Sequence, residues 1–128
     1  MDKVVHFEIP ADDVNRAVKF YKDIFGWNIN KTEMPNMEYY IVHTVETDKK
    51  GMPKSAGAIN GGLMKRYKET QPVLVINVSS VDEYLKKIKK SGGKVVQEKM
   101  TVGDMGLYAR VLDTEGNLIG IWENIKKM

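Results

Sequence analysis

The sequence predicts an α+β fold built from two βαβββ modules in tandem, within one domain of 128 residues. Three observations carry that prediction. A short apolar strand followed by an amphipathic helix occurs twice, over residues 4–26 and again over 72–93. Three further strand-like runs follow each pair. The two halves also superpose: a shift of 67 positions puts His6 on Val73, Phe7 on Leu74, Ile9 on Ile76, Val14 on Val81, Val18 on Leu85 and Gly26 on Gly93, with no gap. Self-similarity at this spacing marks an internal duplication, with modules at about 3–65 and 71–124.

The elements follow in order. Residues 4–9 alternate as a half-buried strand does, with Val5, Phe7 and Ile9 on one face and Val4, His6 and Glu8 on the other. Asp12 or Asp13 then caps a helix. Its buried stripe is read as Val14, Ala17, Val18, Tyr21, Ile24 and Phe25, and Gly26 ends it. Strands are expected near 27–33, 38–45 and 57–64, with the polar loop "ETDKKGMPKSAG" between the last two. In the second half "PVLVINV" is a strand, and Ser80 with Glu83 opens a helix as a capping box. That helix should bury Val81, Tyr84, Leu85 and Ile88. Strands are then expected over 94–100, 105–112 and 117–123. A shift of 68 puts Tyr40 on Tyr108 in the third strand of each half.

Composition narrows the function. Hydrophobic residues make up 42% of the chain, which suffices for a core. Twenty basic against 17 acidic side chains leave a formal charge of +3, too little to argue for a nucleic-acid partner. Lys86, Lys87, Lys89, Lys90 and Lys94 cluster, and a solvated helix face explains them better than a phosphate site. The chain has no cysteine, so disulfides, zinc–thiolate sites and cysteine nucleophiles are excluded. No apolar run reaches the roughly 18–20 residues that span a bilayer. "MDKVVHF" lacks a signal-peptide core. The expectation is a cytoplasmic protein without a membrane partner. "GAINGG" precedes no helix, so a nucleotide cradle fails on context.

The stretches "HFEIPADDVNRAVKFYKDIFGW", "KKIKKSGGKVV" and "DTEGNLIGIWE" resemble the vicinal oxygen chelate superfamily, which includes glyoxalase I, bleomycin-resistance proteins and extradiol dioxygenases. The likeness runs from about residue 3 to 124. It implies a mixed sheet curved into a cup, with the helices on the convex side and the ligand in the concavity. It also implies a homodimer as protein partner. Metal-dependent members place four ligands on the first and last strands of the two modules. Carried over, these positions fall on His6, Val73, Gly120 and Gly62, or on Asn60 with a different gap. A lone imidazole holds a divalent ion weakly, since stable catalytic sites usually use three protein ligands. The expectation is therefore no metal and no cofactor. A replacement site made by His6 and His43 is the weaker reading, because His43 should face away from Tyr40 and Val42.

Strand alternation then gives the face opposite the helices: His6 and Glu8; Tyr40 and Val42; Val73, Val75 and Asn77; Tyr108 and Arg110; Leu118, Gly120 and Trp122. With Asn60 and Gly62, the polar and aromatic members are the candidate ligand-binding set, in a mainly apolar concavity of the kind that takes a small molecule. His6 and Glu8 stand two residues apart, their Cα atoms roughly 6.5–7 Å from each other. They can act as an acid/base pair, with Arg110 holding an anionic group of the ligand. Equally, Glu8 can form an ion pair with Arg110, with His6 a satisfied neighbour. Two functions stay open: a protein that encloses a small, partly apolar molecule, and a metal-independent isomerase or lyase using Glu8 and His6. Met100, Met105, Met34, Met37 and Met52 lie in or beside loops, where gap-filling explains them.

Overall fold

The computed structural model describes residues 1–32, 38–68 and 71–125. Met34 and Met37 lie outside the described residues. The observed elements follow the expected order. They are β1 (Val4–Ala11), α1 (Val14–Phe25), β2 (Asn28–Lys31), β3 (Tyr39–His43), β4 (Gly61–Lys65), β5 (Val73–Asn77), α2 (Val81–Lys90), β6 (Lys94–Val102), β7 (Gly106–Leu112) and β8 (Leu118–Asn124). The prediction of an α+β fold with two βαβββ modules is borne out. The fourth strand starts later than expected, at Gly61 rather than near residue 57. No helix among the described residues is long and apolar enough to cross a membrane.

The chain divides into two units, residues 6–72 and residues 73–128 together with 1–5. In the first, the strand order is β2-β3-β4-β1. β1 and β4 run parallel, with Glu8 opposite Gly62, and the other pairs are antiparallel. Of the two candidate caps, Asp13 is the one used: its Oδ1 accepts a hydrogen bond from the Arg16 amide at 3.0 Å. The helix lays Val14, Ala17, Val18 and Tyr21 on a core of Ala11, Ile29, Val42 and Leu63. Val42 and Leu63 are completely buried, and each contributes about 1.5–3 kcal/mol through loss of apolar surface to water.

The expected stripe is too long at its C-terminal end. Ile24 and Phe25 are exposed, at 62% and 57%. The Tyr21 ring stacks flat on Trp27 at 5.1 Å between centroids and closes that end of the core, which leaves Phe25 outside against Tyr21 and Trp27.

In the second unit the order is β5-β8-β7-β6, with β5 and β8 parallel and the rest antiparallel. Ser80 Oγ accepts from the Glu83 amide at 3.2 Å, as the capping box requires. Glu123 Oε1 also accepts from the Val81 amide at 2.8 Å, so the last strand helps to hold the helix start. Val81 and Leu85 are buried with Val78, Ala109, Val111 and Ile121, and Tyr84 and Ile88 pack against them, as expected. A smaller cluster of Val73, Val75 and Tyr108, with Leu118 and Trp122, forms on the other face. Residues 1–5 belong here through a hydrogen bond from the Asn77 amide to the Lys3 carbonyl at 2.9 Å and one from the Tyr84 hydroxyl to Asp2 at 2.6 Å. The five clustered lysines are exposed.

Candidate functional site

In the first unit, the β1 face away from α1 carries His6 and Glu8, as alternation predicts. Glu8 is buried at 7% exposure, which is costly for a carboxylate without a partner. The Tyr39 hydroxyl meets both. It lies 2.9 Å from His6 Nε2 and donates to Glu8 Oε2 at 3.3 Å. Burial pulls the His6 pKa below its ordinary value of 6.5, and the Glu8 charge opposes that shift without reversing it.

Tyr39 reaches this position because residue 62 is a glycine. A Cβ at residue 62 would stand 2.7 Å from Tyr39 Cε1 and still closer to the hydroxyl and Cζ. The second unit repeats the device. A Cβ at Gly120 would meet the Tyr108 hydroxyl at 2.5 Å and Cε1 at 2.8 Å. The strand register agrees, since Ile41 faces Gly62 where Arg110 faces Gly120, and Tyr39 faces Met64 where Tyr108 faces Trp122. Both glycines stand at positions where the resemblance puts metal ligands on the last strand of each module. In each unit a tyrosine ring fills the space in front of the glycine.

Around Tyr108 the surroundings are mixed. Arg110 Nε donates to the Tyr108 hydroxyl at 3.1 Å, and the guanidinium lies 5.8 Å from the ring centroid. Val73, Val75 and Trp122 pack beside it, and Trp122 Nε1 donates to Asn124 Oδ1 at 2.8 Å. Asn77 is half-buried opposite Trp122 in the strand register. Tyr108, Gly120 and Trp122 thus lie together on the face expected of them.

Tyr40 and Val42 are placed differently from the expectation: both pack with Ile29 and Leu63 on the α1 side, so neither shares the face of His6 and Glu8. Tyr39 takes that place. The tandem tyrosines made the register ambiguous: a shift of 68 puts Tyr40 on Tyr108, whereas the structural equivalence needs 69. Alternation consequently puts His43 with Tyr39 and Ile41, the reverse of the expectation. His43 borders an open groove of about 660 Å³ that Glu46 and Lys54 also line, and its Nδ1 is buried without a partner among the described residues.

Asn60 lies before β4. Its Oδ1 accepts from the amides of Thr44 at 2.8 Å and Val45 at 3.2 Å and from the Thr44 hydroxyl at 3.2 Å. It ties the end of β3 to the start of β4. The register match between Gly62 and Gly120 assigns the fourth family position to Gly62. The described residues contain no group of three or more His, Cys, Asp or Glu side chains placed to hold a metal ion.

Known proteins resemble the chain at the level of sequence as well as fold. Residues 3–44 match the N-terminal profile of bleomycin-resistance-like proteins. A glyoxylase-like domain-containing protein of Didymella fabae is 31% identical over 116 residues, spanning 86% of this chain and 84% of that protein. The chain belongs to the glyoxylase-like family of the vicinal oxygen chelate superfamily. A lactoylglutathione lyase of Haemophilus influenzae is 26% identical over 125 residues, covering 95% and 93% of the two chains. Relatives in Mycobacterium bovis and Mycobacterium tuberculosis are 27% identical, and this chain spans only 43% of their length. Among solved structures, the methylmalonyl-CoA epimerase of Streptomyces coelicolor superposes with a TM-score of 0.66 over 97% of this chain and 98% of that one. At 17% identity that likeness concerns the fold.

Proposed function

We propose that this glyoxylase-like chain binds a small, partly apolar molecule on the strand faces opposite its helices, without a metal ion. The observation that carries this reading is the Tyr39 hydroxyl, bonded to His6 and Glu8 in front of Gly62. Its repeat at Tyr108 and Gly120 supports it. Three of the four positions for family metal ligands carry no coordinating side chain: Gly62, Val73 and Gly120. The remaining imidazole bonds to a tyrosine. Within the second unit, Val73, Val75 and Trp122 offer apolar surface, Asn77 an amide, and Arg110 with Tyr108 a place for an anionic group. We place the protein in the cytoplasm as a homodimer.

A second reading makes the same residues a metal-independent isomerase or lyase, with Glu8 and His6 moving a proton. The hydrogen-bonded chain His6–Tyr39–Glu8 favours it, because linked groups can share a charge that develops on the imidazole.

A thermal-shift screen of small aromatic and aliphatic carboxylates, run with EDTA throughout, tests the binding. Wild type is compared with His6→Ala, Glu8→Gln and Arg110→Met. A hit whose shift survives EDTA and falls in these variants supports the reading. Hits that need added metal, or that ignore all three substitutions, oppose it. Turnover of a hit lost in Glu8→Gln selects the enzyme over the binding protein.

A further inference from the structure

The contacts of Tyr39 with Glu8 and His6 bear on which nitrogen of His6 is free to work. A tyrosine hydroxyl has one proton to donate and lone pairs to accept with, whereas a carboxylate only accepts. Tyr39 gives its proton to Glu8 Oε2 at 3.3 Å. With that proton engaged by Glu8, the contact of 2.9 Å to His6 Nε2 fits a bond in which Nε2–H donates to the Tyr39 oxygen. A neutral imidazole carries one N–H, so Nδ1 holds the lone pair.

The surroundings of Nδ1 agree. Among the described residues His6 makes no hydrogen bond other than that to Tyr39, and its Nδ1 is not among the buried atoms left without a partner. Nδ1 is thus open to an incoming molecule while Nε2 is held from behind. Burial lowers the His6 pKa and so favours the neutral ring, the form that has a lone pair to offer.

We propose that Tyr39 is a positioning residue that locks His6 in the Nε2–H form, so that Nδ1 is the atom that accepts a hydrogen bond or a proton from the ligand. This rests on the proposed function for the ligand, but the tautomer itself does not. If a proton moves, it leaves an O–H, an N–H or an acidic C–H of the ligand, which keeps the electron pair, and bonds to Nδ1. The imidazolium formed then gains a counter-charge from Glu8 through the Tyr39 hydroxyl. The matching ligand is therefore a protic one, such as a hydroxy acid or a carbonyl compound with an acidic α-hydrogen. Gly62 is part of the device, since any side chain there displaces the hydroxyl.

Long-range ¹⁵N–¹H correlation of the imidazole rings tests this in the ligand-free protein. The chain has two histidines, so a His43→Gln variant assigns the signals. At a pH where His6 is neutral, the wild type should show a protonated Nε2 and an unprotonated Nδ1. Tyr39→Phe and Gly62→Ala should each convert that pattern to the averaged shifts of a mixed tautomer, with the His43 signals unmoved as a check on folding. A protonated Nδ1 in the wild type overturns the proposal, as does an unchanged His6 pattern in a folded Tyr39→Phe. Failure of the ligand screen with the Nε2–H form intact would instead refute the binding reading alone.

Discussion

Replacing Gly62 by alanine introduces a single methyl group, yet it should be among the most damaging small changes in this chain. All three of the nearest atoms to the added Cβ belong to Tyr39, with Cε1 at 2.7 Å and Cζ and the hydroxyl nearer still. Gly62 and its partner Ile41 lie in a paired part of the sheet, so the backbone cannot yield and the ring must move. Overpacking of this kind costs about 1–3 kcal/mol. Moving the ring also breaks the bonds to His6 and Glu8, at roughly 0.5–1.5 kcal/mol each. Alanine returns about 0.5–1 kcal/mol of backbone entropy relative to glycine in a strand. The net loss is roughly 1–5.5 kcal/mol, which for a domain of this size lowers the melting temperature by roughly 3–28 °C. Differential scanning calorimetry on Gly62→Ala, Tyr39→Ala and the double variant measures it. With the Tyr39 ring gone, Gly62→Ala should cost nearly nothing, giving a coupling of at least about 2 kcal/mol. Additive effects, or a single-variant loss below about 0.5 kcal/mol, would refute the account of why glycine stands there.

Gly120→Ala should be milder than Gly62→Ala in the same assay, since its closest contact, the Tyr108 hydroxyl, is at 2.5 Å; the reverse ranking would count against the repeat. His6 gives a pH signature. Its folded-state pKa lies below 6.5, so stability is complete above 6.5 and falls as the pH drops below it, because the unfolded chain takes up the proton first. Urea unfolding across pH should show stability falling below 6.5, with a slope of at most about 1.4 kcal/mol per pH unit, that His6→Gln removes; parallel curves for the two proteins would show that the His6 pKa is not lowered by folding. Asn60→Ala should cost about 1–3 kcal/mol by leaving the Thr44 and Val45 amides without their acceptor. It should leave binding of any hit from the screen unchanged within twofold, and a larger loss of affinity would return Asn60 to the site.

Strand and helix order was legible in the sequence because hydrophobic period and caps act locally. Asp13, Ser80 and Gly26 ended or began helices where their chemistry requires, and the repeat offset of 67 held through strand and helix alike. The site was legible only on strands with one possible phase. β1 offers a single alternation, so His6 and Glu8 stand on the face expected of them. β3 begins with two tyrosines, and either fits the apolar phase. The decisive fact is long-range: Tyr39 faces the Gly62 strand on the His6 side, which no local pattern encodes. The exposed Ile24 and Phe25 have a similar origin, since helix period cannot tell that the Tyr21–Trp27 stack closes the core one turn earlier. For Asn60 the sequence does not separate a ligand contact from a loop tether, because a polar residue beside glycines reads equally as either; the structure shows the tether.

We propose that the tyrosines in front of Gly62 and Gly120 occupy the positions where the family resemblance puts metal ligands. Calorimetric titration of the protein, purified without added ions, with nickel and with zinc tests it most directly. The account predicts no stoichiometric binding and no change in the His6 ring signals. One equivalent of either ion bound at micromolar affinity or tighter, with loss of the His6 signals, would contradict it.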